Sequence, residues 1–285
     1  MAVPNIHIRQ AAIMAIRKDA VDFYAQTDAI AATTSSTYQT AHSLVVDVAG
    51  DYLVIATGIV ANGQISDGCD IVFNDGSIDK AQCSIRHKQS TDREPWGHVE
   101  KITVASSTTV SIKFRSEFGA SVDFLECSLF AMRLDTLAGN AATEDTAEST
   151  TTSTTYVEKE TLVCDPELDH LIFATAVLST NSAAANPIFA ALQVGNDVDG
   201  WVDAQEAIIK VEAASNDKAF FAAFKNNHRT PVGESVDYRI AFKRQVFGSY
   251  NAEIDDVNLN FVEIIDDGKV RLLGKTTILG KTTIL

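Results

Sequence analysis

The sequence is short of cationic side chains and of long apolar runs, and each shortage excludes a class of partner. Lys and Arg number 23 against 38 Asp and Glu in 285 residues, which gives a formal net charge of -15. Nucleic-acid phosphates repel such a surface, so we expect no nucleic-acid partner. No stretch approaches the roughly 20 consecutive apolar residues of a membrane helix, so we expect no membrane partner.

Targeting and redox motifs are also scarce. The N-terminus MAVPNIHIRQAAIMAIRKD has charges inside its apolar part, which argues against a signal peptide and export by that route. None of the four cysteines forms a C-x-x-C pair or has zinc-like spacing from a histidine. We therefore expect reduced thiols on buried strands, which suits assembly in a cytoplasm. The cysteines are Cys69, Cys83, Cys127 and Cys164.

Motifs of catalysis are missing from the sequence as well. No G-x-S-x-G nucleophile elbow occurs, and the six histidines are scattered without an H-x-H or H-E-x-x-H grouping. We expect a protein that is not an enzyme and that uses no cofactor.

The chain ends in LGKTTILGKTTIL, a six-residue unit that occurs twice and contains GKT in each copy. A phosphate-binding loop needs four residues between its glycines and a helix after its lysine, whereas five residues separate Gly274 from Gly280 and no helix can follow. An extended arm explains the unit better, since its period of six places equivalent residues on the same side of a strand. From residue 268 onward the arm carries cations and no acidic side chain, so we expect it to pair with another subunit. One side of this assembly arm presents Leu273, Lys275, Thr277, Leu279 and Lys281.

An internal repeat organises the rest of the chain. Residues 37–60 align with residues 155–178 without a gap, at a constant offset of 118. The ends of the two copies also correspond, since IKFR at 112–115 resembles IAFK at 240–243. We therefore predict two tandem domains. The predicted divisions are an N-terminal arm (1–36), domain 1 (37–135), a Thr/Ser/Ala-rich extended or flexible linker (136–154), domain 2 (155–266) and a C-terminal arm (267–285).

Periodicity within each copy is that of β-strands. GDYLVIATGIVAN is apolar on both sides of its pleat, and IVFNDGSID places turn residues between two apolar runs. Seven or eight such strands in about 100 residues predict an all-β fold of two jelly-roll-like β-sandwiches. Ahead of the first copy, residues 13–19 allow two interpretations, a short helix or a stray closing-strand segment. The helical face would contain Ile13, Ile16, Ala20, Phe23 and Tyr24.

The best candidate for a metal site is GNDVDGWVDAQE, residues 195–206, which has carboxylates at several positions of an EF-hand loop. Its first position is Gly195 and neither flank resembles a helix, so an acidic turn is the simpler explanation. The weak calcium candidates are Asp197, Asp199, Asp203 and Glu206.

Trp96 and Trp201 stand six and seven residues before Ile102 and Ile208, which suggests comparable places in the two copies. Exposed aromatic rings form sugar-binding platforms, so the two tryptophans are possible glycan contacts. Paired core or rim tryptophans are the alternative.

A tandem of acidic β-sandwiches with Thr/Ser/Ala-rich linkers resembles the virion structural proteins of tailed bacteriophages. GDYLVIATGIVAN, followed by the closing SVDFLECSLFAMRL, also resembles a G-x-Y-x-h-x-A pattern in trimeric jelly rolls of the tumour-necrosis-factor and complement-head type. The resemblance covers residues 37–135 and 155–266. It implies a capsid-decoration, head-fibre, collar or tail protein, located in the virion and assembled in the host cytoplasm. Its partners would be other virion proteins and further copies of itself, most simply in a homotrimer. A carbohydrate-binding adhesin or receptor-binding module is the second hypothesis.

Overall fold

The computed structural model describes residues 23–27, 29–62, 68–86, 93–135, 139–164, 170–181, 186–196, 199–211, 219–227, 236–245 and 250–263. All regular elements in these ranges are β-strands, so the predicted all-β fold is confirmed. Within the same ranges no helix has the length and hydropathy needed to cross a membrane.

Each half of the chain contributes nine of these strands. The first half contains β1 (Phe23–Thr27), β2 (Ala31–Thr33), β3 (Gln39–Val46), β4 (Gly50–Asn62), β5 (Gly68–Asn74), β6 (Asp79–Arg86), β7 (Arg93–Val104), β8 (Thr108–Ser116) and β9 (Val122–Arg133). The second half contains β10 (Asn140–Asp145), β11 (Ser149–Thr151), β12 (Val157–Val163), β13 (His170–Thr180), β14 (Asn186–Asn196), β15 (Gly200–Val211), β16 (Ala219–Asn227), β17 (Asp237–Arg244) and β18 (Ala252–Glu263).

Strand pairing in each half is that of a jelly roll. If β1 and β2 count as one interrupted strand, the first strand pairs with the eighth, the second with the seventh, the third with the sixth and the fourth with the fifth. Such a folded-over hairpin gives two antiparallel sheets, β1-β9-β4-β7 and β3-β8-β5-β6. β10 to β18 repeat the same order in the sheets β10-β18-β13-β16 and β12-β17-β14-β15. The aligned segments 52–60 and 170–178 thus lie in equivalent strands, β4 and β13.

Alternation along the strands builds a separate core in each domain. Tyr52, Val54 and Ala56 of β4 face the opposing sheet of domain 1 and are fully buried. In β13, Ile172 and Ala174 occupy the matching places in the core of domain 2. A period of two places every second residue on this face, as expected of a sandwich strand.

A third apolar cluster joins the two domains. Leu53 and Ile55, on the other side of β4, belong to one buried cluster with Leu171 and Phe173, which lie on the equivalent side of β13. Leu53 and Leu171 are separated by the repeat offset of 118, as are Ile55 and Phe173, so both copies contribute these positions to the cluster, while the closest strands are β6 and β7 of domain 1 and β13, β16 and β18 of domain 2. Burial of each such side chain contributes roughly 1.5–3 kcal/mol. The cluster is completed by Val99, Met132, Leu134 and Val262, with Phe130 packed against it.

The Thr/Ser/Ala-rich stretches ahead of each copy are strands of the jelly rolls. β1 and β2 pair with β9, and β10 and β11, from the predicted linker, pair with β18. Ser and Thr side chains then order the turn into the next sheet. The amide of Ser35 donates to Thr33 Oγ1 at 3.0 Å, and the amide of Ser153 donates to Thr151 Oγ1 at the same distance. Hydroxyl groups as local hydrogen-bond partners explain why these residue types recur here.

The helix suggested for the N-terminal segment is wrong for its last two residues. Phe23 and Tyr24 lie in β1, where they pair with Ala131 and Phe130 of β9. The edge of an apolar sheet offers these rings a surface to pack on, which helical spacing alone does not reveal. Ile13, Ile16 and Ala20 lie outside the described residues.

The predicted turn in IVFNDGSID is confirmed between β5 and β6. Asp75 Oδ1 accepts hydrogen bonds from the amides of Ser77 at 2.8 Å and Ile78 at 2.9 Å. Burial by itself raises the pKa of Asp75, but these hydrogen bonds outweigh it and the pKa is lowered. Gly76 has a φ of 100° and a Cβ there would approach Thr108 to 2.4 Å, so glycine is required.

Candidate functional site

The outward face of the β12-β17-β14-β15 sheet carries two stacks of a cation on an aromatic ring. In the first, the guanidinium of Arg239 lies 4.2 Å from the ring centroid of Trp201. Arg239 Nε donates to Gln193 Oε1 at 2.7 Å, and Gln193 Nε2 donates to Asp203 Oδ1 at 2.7 Å. Arg239 also forms a salt bridge of 3.1 Å with Glu158, which completes this stack. Each polar group is thus held in one orientation by a neighbour.

The second stack centres on Lys243, whose Nζ lies 3.7 Å from the ring centroid of Tyr156 and 5.0 Å from that of Phe189. Glu206 accepts a hydrogen bond from the Tyr156 hydroxyl and lies 3.5 Å from Lys243 Nζ. Burial, and then the carboxylate of Glu206, raise the pKa of Tyr156. The phenol therefore stays protonated at neutral pH and acts as a hydrogen-bond donor.

A related arrangement occurs on the outward face of the β3-β8-β5-β6 sheet. The guanidinium of Arg115 lies 4.6 Å from the ring centroid of Tyr38. Arg115 Nε donates to Asp70 Oδ2 at 2.8 Å, and Ser84 Oγ donates to the other oxygen of Asp70 at 2.5 Å. Burial and the charge of Asp70 raise the pKa of Tyr38 to about 12, although Arg115 acts in the opposite direction. Tyr38 and Tyr156 are 118 residues apart, so the tyrosine–cation pair belongs to the repeat.

These faces offer groups that can take part in contacts with a partner. They present aromatic surface, amide groups and charges that neighbouring side chains already balance. We therefore treat the two outward faces as candidate contact surfaces.

The EF-hand interpretation of residues 195–206 is wrong, because residues 200–211 form strand β15 rather than a loop. The register of β15 on β14 shifts after Asp203, which brings Asp203 and Glu206 to the same face of the sheet. Their carboxylates bind Gln193, Tyr156 and Lys243 instead of converging. Asp199 is an exposed turn residue, and Asp197 lies outside the described residues. In the described ranges, no group of three or more His, Cys, Asp or Glu side chains is placed to hold a metal ion.

The two tryptophans do not occupy comparable places. Trp96 lies in β7, the sixth strand of its jelly roll, and is 2% exposed within the core of domain 1. Trp201 lies in β15, the fifth strand of domain 2, and is half-buried on the outward face. A glycan could reach Trp201 but not Trp96, because the core of domain 1 covers the indole of Trp96.

A polar cluster lies where the two domains meet. Lys80 Nζ is 2.5 Å from Glu100 in its own domain and 3.2 Å from Glu144 of β10. His98 Nε2 lies 3.1 Å from Glu100, and both side chains are almost fully buried. Burial lowers the pKa of Lys80, but hydrogen bonding and the charge of Glu100, together with Glu144, outweigh it and raise the pKa. Lys80 is therefore a charged link between the domains.

All four cysteine thiols are buried, and no disulfide joins them. Burial raises the pKa of both Cys127 and Cys164 to about 12. Thiols with so high a pKa are not nucleophiles at neutral pH.

The aromatic–cation stacks were not predicted from the sequence, although the repeat contains the information needed to find them. Tyr38 matches Tyr156, and Arg115 matches Lys243 in the aligned IKFR and IAFK segments. Only the pairing of the second strand with the seventh shows that each tyrosine meets its cation. The predicted arm residues Leu273, Lys275, Thr277, Leu279 and Lys281 lie outside the described residues.

No protein-family model and no curated protein matches this chain. Among solved structures it is similar to the major capsid protein of bacteriophage PM2, with 9% identity, a TM-score of 0.26, and coverage of 86% of this chain and 98% of that chain. It is also similar to the CBM22-1-CBM22-2 tandem domain of a Paenibacillus barcinonensis protein, with 12% identity, a TM-score of 0.27, and coverage of 88% and 100%. A structure of the Gt strain of infectious bursal disease virus gives 10% identity, a TM-score of 0.31, and coverage of 95% and 77%. Similarity at this level identifies no relative, and the jelly-roll assignment rests on the strand pairing.

Proposed function

We propose that this protein is a non-enzymatic structural component of a bacteriophage virion, built into the particle as a symmetric oligomer in the host cytoplasm. The observation that carries the proposal is the apolar cluster that joins two jelly rolls into one block. Jelly rolls recur in viral capsids and in lectins, and this analogy of fold supports the class of function without selecting a place in the particle.

A rigid block suits assembly for a physical reason. Interfaces between domains of one chain are commonly polar and allow relative motion. Here large apolar side chains such as Leu53, Phe173 and Met132 are buried between the domains, so relative motion would expose them to water. A subunit of constant shape can repeat the same contact in every copy, which closed symmetry requires.

The test has two measurements on the full chain. Light scattering of the purified protein should give a multiple of the 30.7 kDa chain, most simply a trimer. Mass spectrometry of purified phage particles should find the chain in a fixed number of copies. A monomer at all concentrations, together with its absence from particles, would contradict the proposal.

The C-terminal arm is proposed to act in this assembly. Deletion of residues 272–285 should leave the melting transition of the two domains unchanged and should weaken association. If the deletion instead unfolds domain 2, the arm is a strand of its own domain and the assembly role is wrong.

Carbohydrate binding is the second candidate, because Trp201 is half-buried on the same sheet face as Tyr156 and close to the hydrogen-bonded side chains of Arg239 and Gln193. Arg239 covers one side of the indole, so a sugar would use the ring edge and the remaining side. A glycan array should detect binding that Trp201→Ala abolishes. Val202→Ala is the matched control, since Val202 is a neighbouring exposed residue of the same strand. Equal binding by both variants would exclude this site.

A further inference from the structure

Strand β12 of domain 2 has one free edge within the described part of the chain. It pairs with β17 on one side only and ends the sheet order β12-β17-β14-β15. A strand edge exposes amide and carbonyl groups that can pair with an added strand. The edge is therefore a potential docking place for an extended segment.

Side chains along this edge are acidic in the middle and apolar at the ends. The Glu158 side chain is 48% exposed, whereas Glu160, two residues further along the strand, is half-buried and accepts a hydrogen bond from Thr143 of β10. Val157 and Val163 are exposed at the two ends, Val163 by 71%. The equivalent strand of domain 1, β3, has Thr40 and His42 where β12 has the two glutamates. The acidic edge is thus particular to domain 2.

The neighbouring edge adds further negative charge. β10 packs against β12, and residues 140–163 contain five acidic side chains and a single cation, Lys159. Lys159 Nζ is already bound, at 2.6 Å from Asp145 and 2.5 Å from the carbonyl oxygen of Ala147. Its side chain is only 1% exposed. Glu144 is paired with Lys80 and Glu158 with Arg239, so the excess of negative charge on these strands is smaller than the number of carboxylates.

We propose that the C-terminal segment of a second copy of this chain, residues 267–285, adds as a strand to the free edge of β12. This inference rests on the assembly function proposed above and specifies the surface that receives the arm. The segment has four cations, and no acidic side chain occurs from residue 268 onward. Its LGKTTI units place leucines around a lysine, a pattern complementary to the valines around glutamates of β12. Strand addition of this kind takes affinity from the backbone and specificity from side chains.

Topology favours a second copy over the same chain as the source. β18 ends at Glu263 between β10 and β13, whereas β12 belongs to the opposite sheet of the sandwich. The end of β18 and the free edge of β12 thus lie in different sheets of the sandwich. Reciprocal exchange of arms between copies would close a symmetric oligomer.

Charge reversal on either partner tests the proposal with the full chain. The edge variant is Glu158→Lys with Glu160→Lys, and the arm variant is Lys275→Glu with Lys281→Glu. We expect each variant alone to associate at least about tenfold more weakly than wild type in sedimentation experiments. An equimolar mixture should regain association, because each chain then offers the charge that the other needs.

Two controls separate charge from folding. Asp47→Lys with Glu126→Lys makes the same change of net charge at exposed sites away from β12, and association should stay within about twofold of wild type. Because Glu158 also pairs with Arg239, the milder Glu158→Gln with Glu160→Gln provides a second edge variant. Circular dichroism and thermal melting verify that each variant is folded.

The outcomes distinguish the inference from the function on which it rests. If the arm variant loses association and folded edge variants do not, the arm docks elsewhere; the inference is then wrong while the assembly function stands. If combining all four reversals in one chain restores association but mixing the two variants does not, the arm binds its own domain. A monomeric wild type would overturn both proposals.

Discussion

The two domains share strand order and core but differ at the edge where the second strand lies. β3 and β12 each contain a register shift at the same repeat position, Ala41 in domain 1 and Lys159 in domain 2. Ala41 packs against the apolar core of domain 1. Lys159 instead donates hydrogen bonds to Asp145, Ala147 and Ser149, which lie in β10, in the turn between β10 and β11, and in β11. Pairing and core packing have thus been kept between the copies, while the side chains at the edge have diverged. Pairing determines the fold, and edges and outer faces determine what each domain can contact.

The same comparison shows that the interface between the domains is not symmetric. Leu53 and Ile55 of β4 and their repeat equivalents on β13 all belong to the buried cluster. The strands that approach each other most closely are β6 and β7 of domain 1 and β13, β16 and β18 of domain 2. The two domains therefore present different surfaces to each other, although they share the buried positions.

Charge placed in this interface should have the largest effect. Phe173→Asp and Ile55→Asp should each lower the free energy of unfolding by about 3–5 kcal/mol, because an unpaired carboxylate would be buried between the domains. Urea titration measures the change, and similar values for the two variants would support burial of both side chains in one shared cluster. Ile30→Asp, at a site 65% exposed and away from β12, should stay within about 0.5 kcal/mol of wild type. A loss of less than about 1 kcal/mol for Phe173→Asp would argue against a fixed contact.

The polar link between the domains should come next. Lys80→Met leaves the buried Glu100 without its ammonium partner and should cost about 2–3 kcal/mol, since Lys80 retains some exposure. Glu144→Gln removes only the more exposed partner in domain 2 and should cost about 0–1 kcal/mol. Differential scanning calorimetry of both variants provides the comparison. Equal effects would mean that Glu100 is not the dominant partner of Lys80.

Removal of Lys159, which is replaced by Ala41 at the equivalent position of domain 1, should have a smaller effect. Lys159→Ala leaves Asp145 partly solvated and takes a donor from the carbonyl of Ala147, so we expect a loss of about 1–3 kcal/mol. Lys101→Ala is the matched control in domain 1, because its ion pair with Asp51 is 3.0 Å long but much more exposed. That control should cost about 0–1 kcal/mol in the same urea titration. If Lys159→Ala costs no more than Lys101→Ala, burial of the lysine does not strengthen its contacts.

The smallest expected effect is a pH dependence of stability that arises from Asp145, the ion-pair partner of Lys159. The hydrogen bond from Lys159 lowers the pKa of Asp145 relative to an unfolded chain. A lowered pKa stabilises the fold above the unfolded value of about 3.9, and this contribution is lost as the pH falls through the folded value. The melting temperature of wild type should therefore exceed that of Asp145→Asn at pH 7, and the difference should shrink below about pH 4. A difference that is unchanged at pH 3 would show that it does not arise from ionisation.

Much of the fold was open to prediction, but some parts of it were not. Alternation in segments such as GDYLVIATGIVAN predicts the core strands, and the offset of 118 predicts that β4 and β13 are equivalent. β10 and β11 were missed because Thr, Ser and Ala have weak apolar periodicity, and their pairing with β18 depends on residues about 100 positions away. Trp96 and Trp201 were matched by their distance from an isoleucine, although insertions place them in different strands.

By itself, the sequence determined that this is an acidic, duplicated all-β protein with a cationic C-terminal segment, because composition, period and repetition are local properties of the chain. Only the tertiary structure decided that Leu53 and Ile55 face the other domain rather than solvent, that Tyr38 and Tyr156 each lie against a cation, and that β12 presents an acidic free edge. Each of these depends on which distant strand becomes a neighbour. That choice is made by the burial of whole sheets against one another, and no local pattern of residues specifies it.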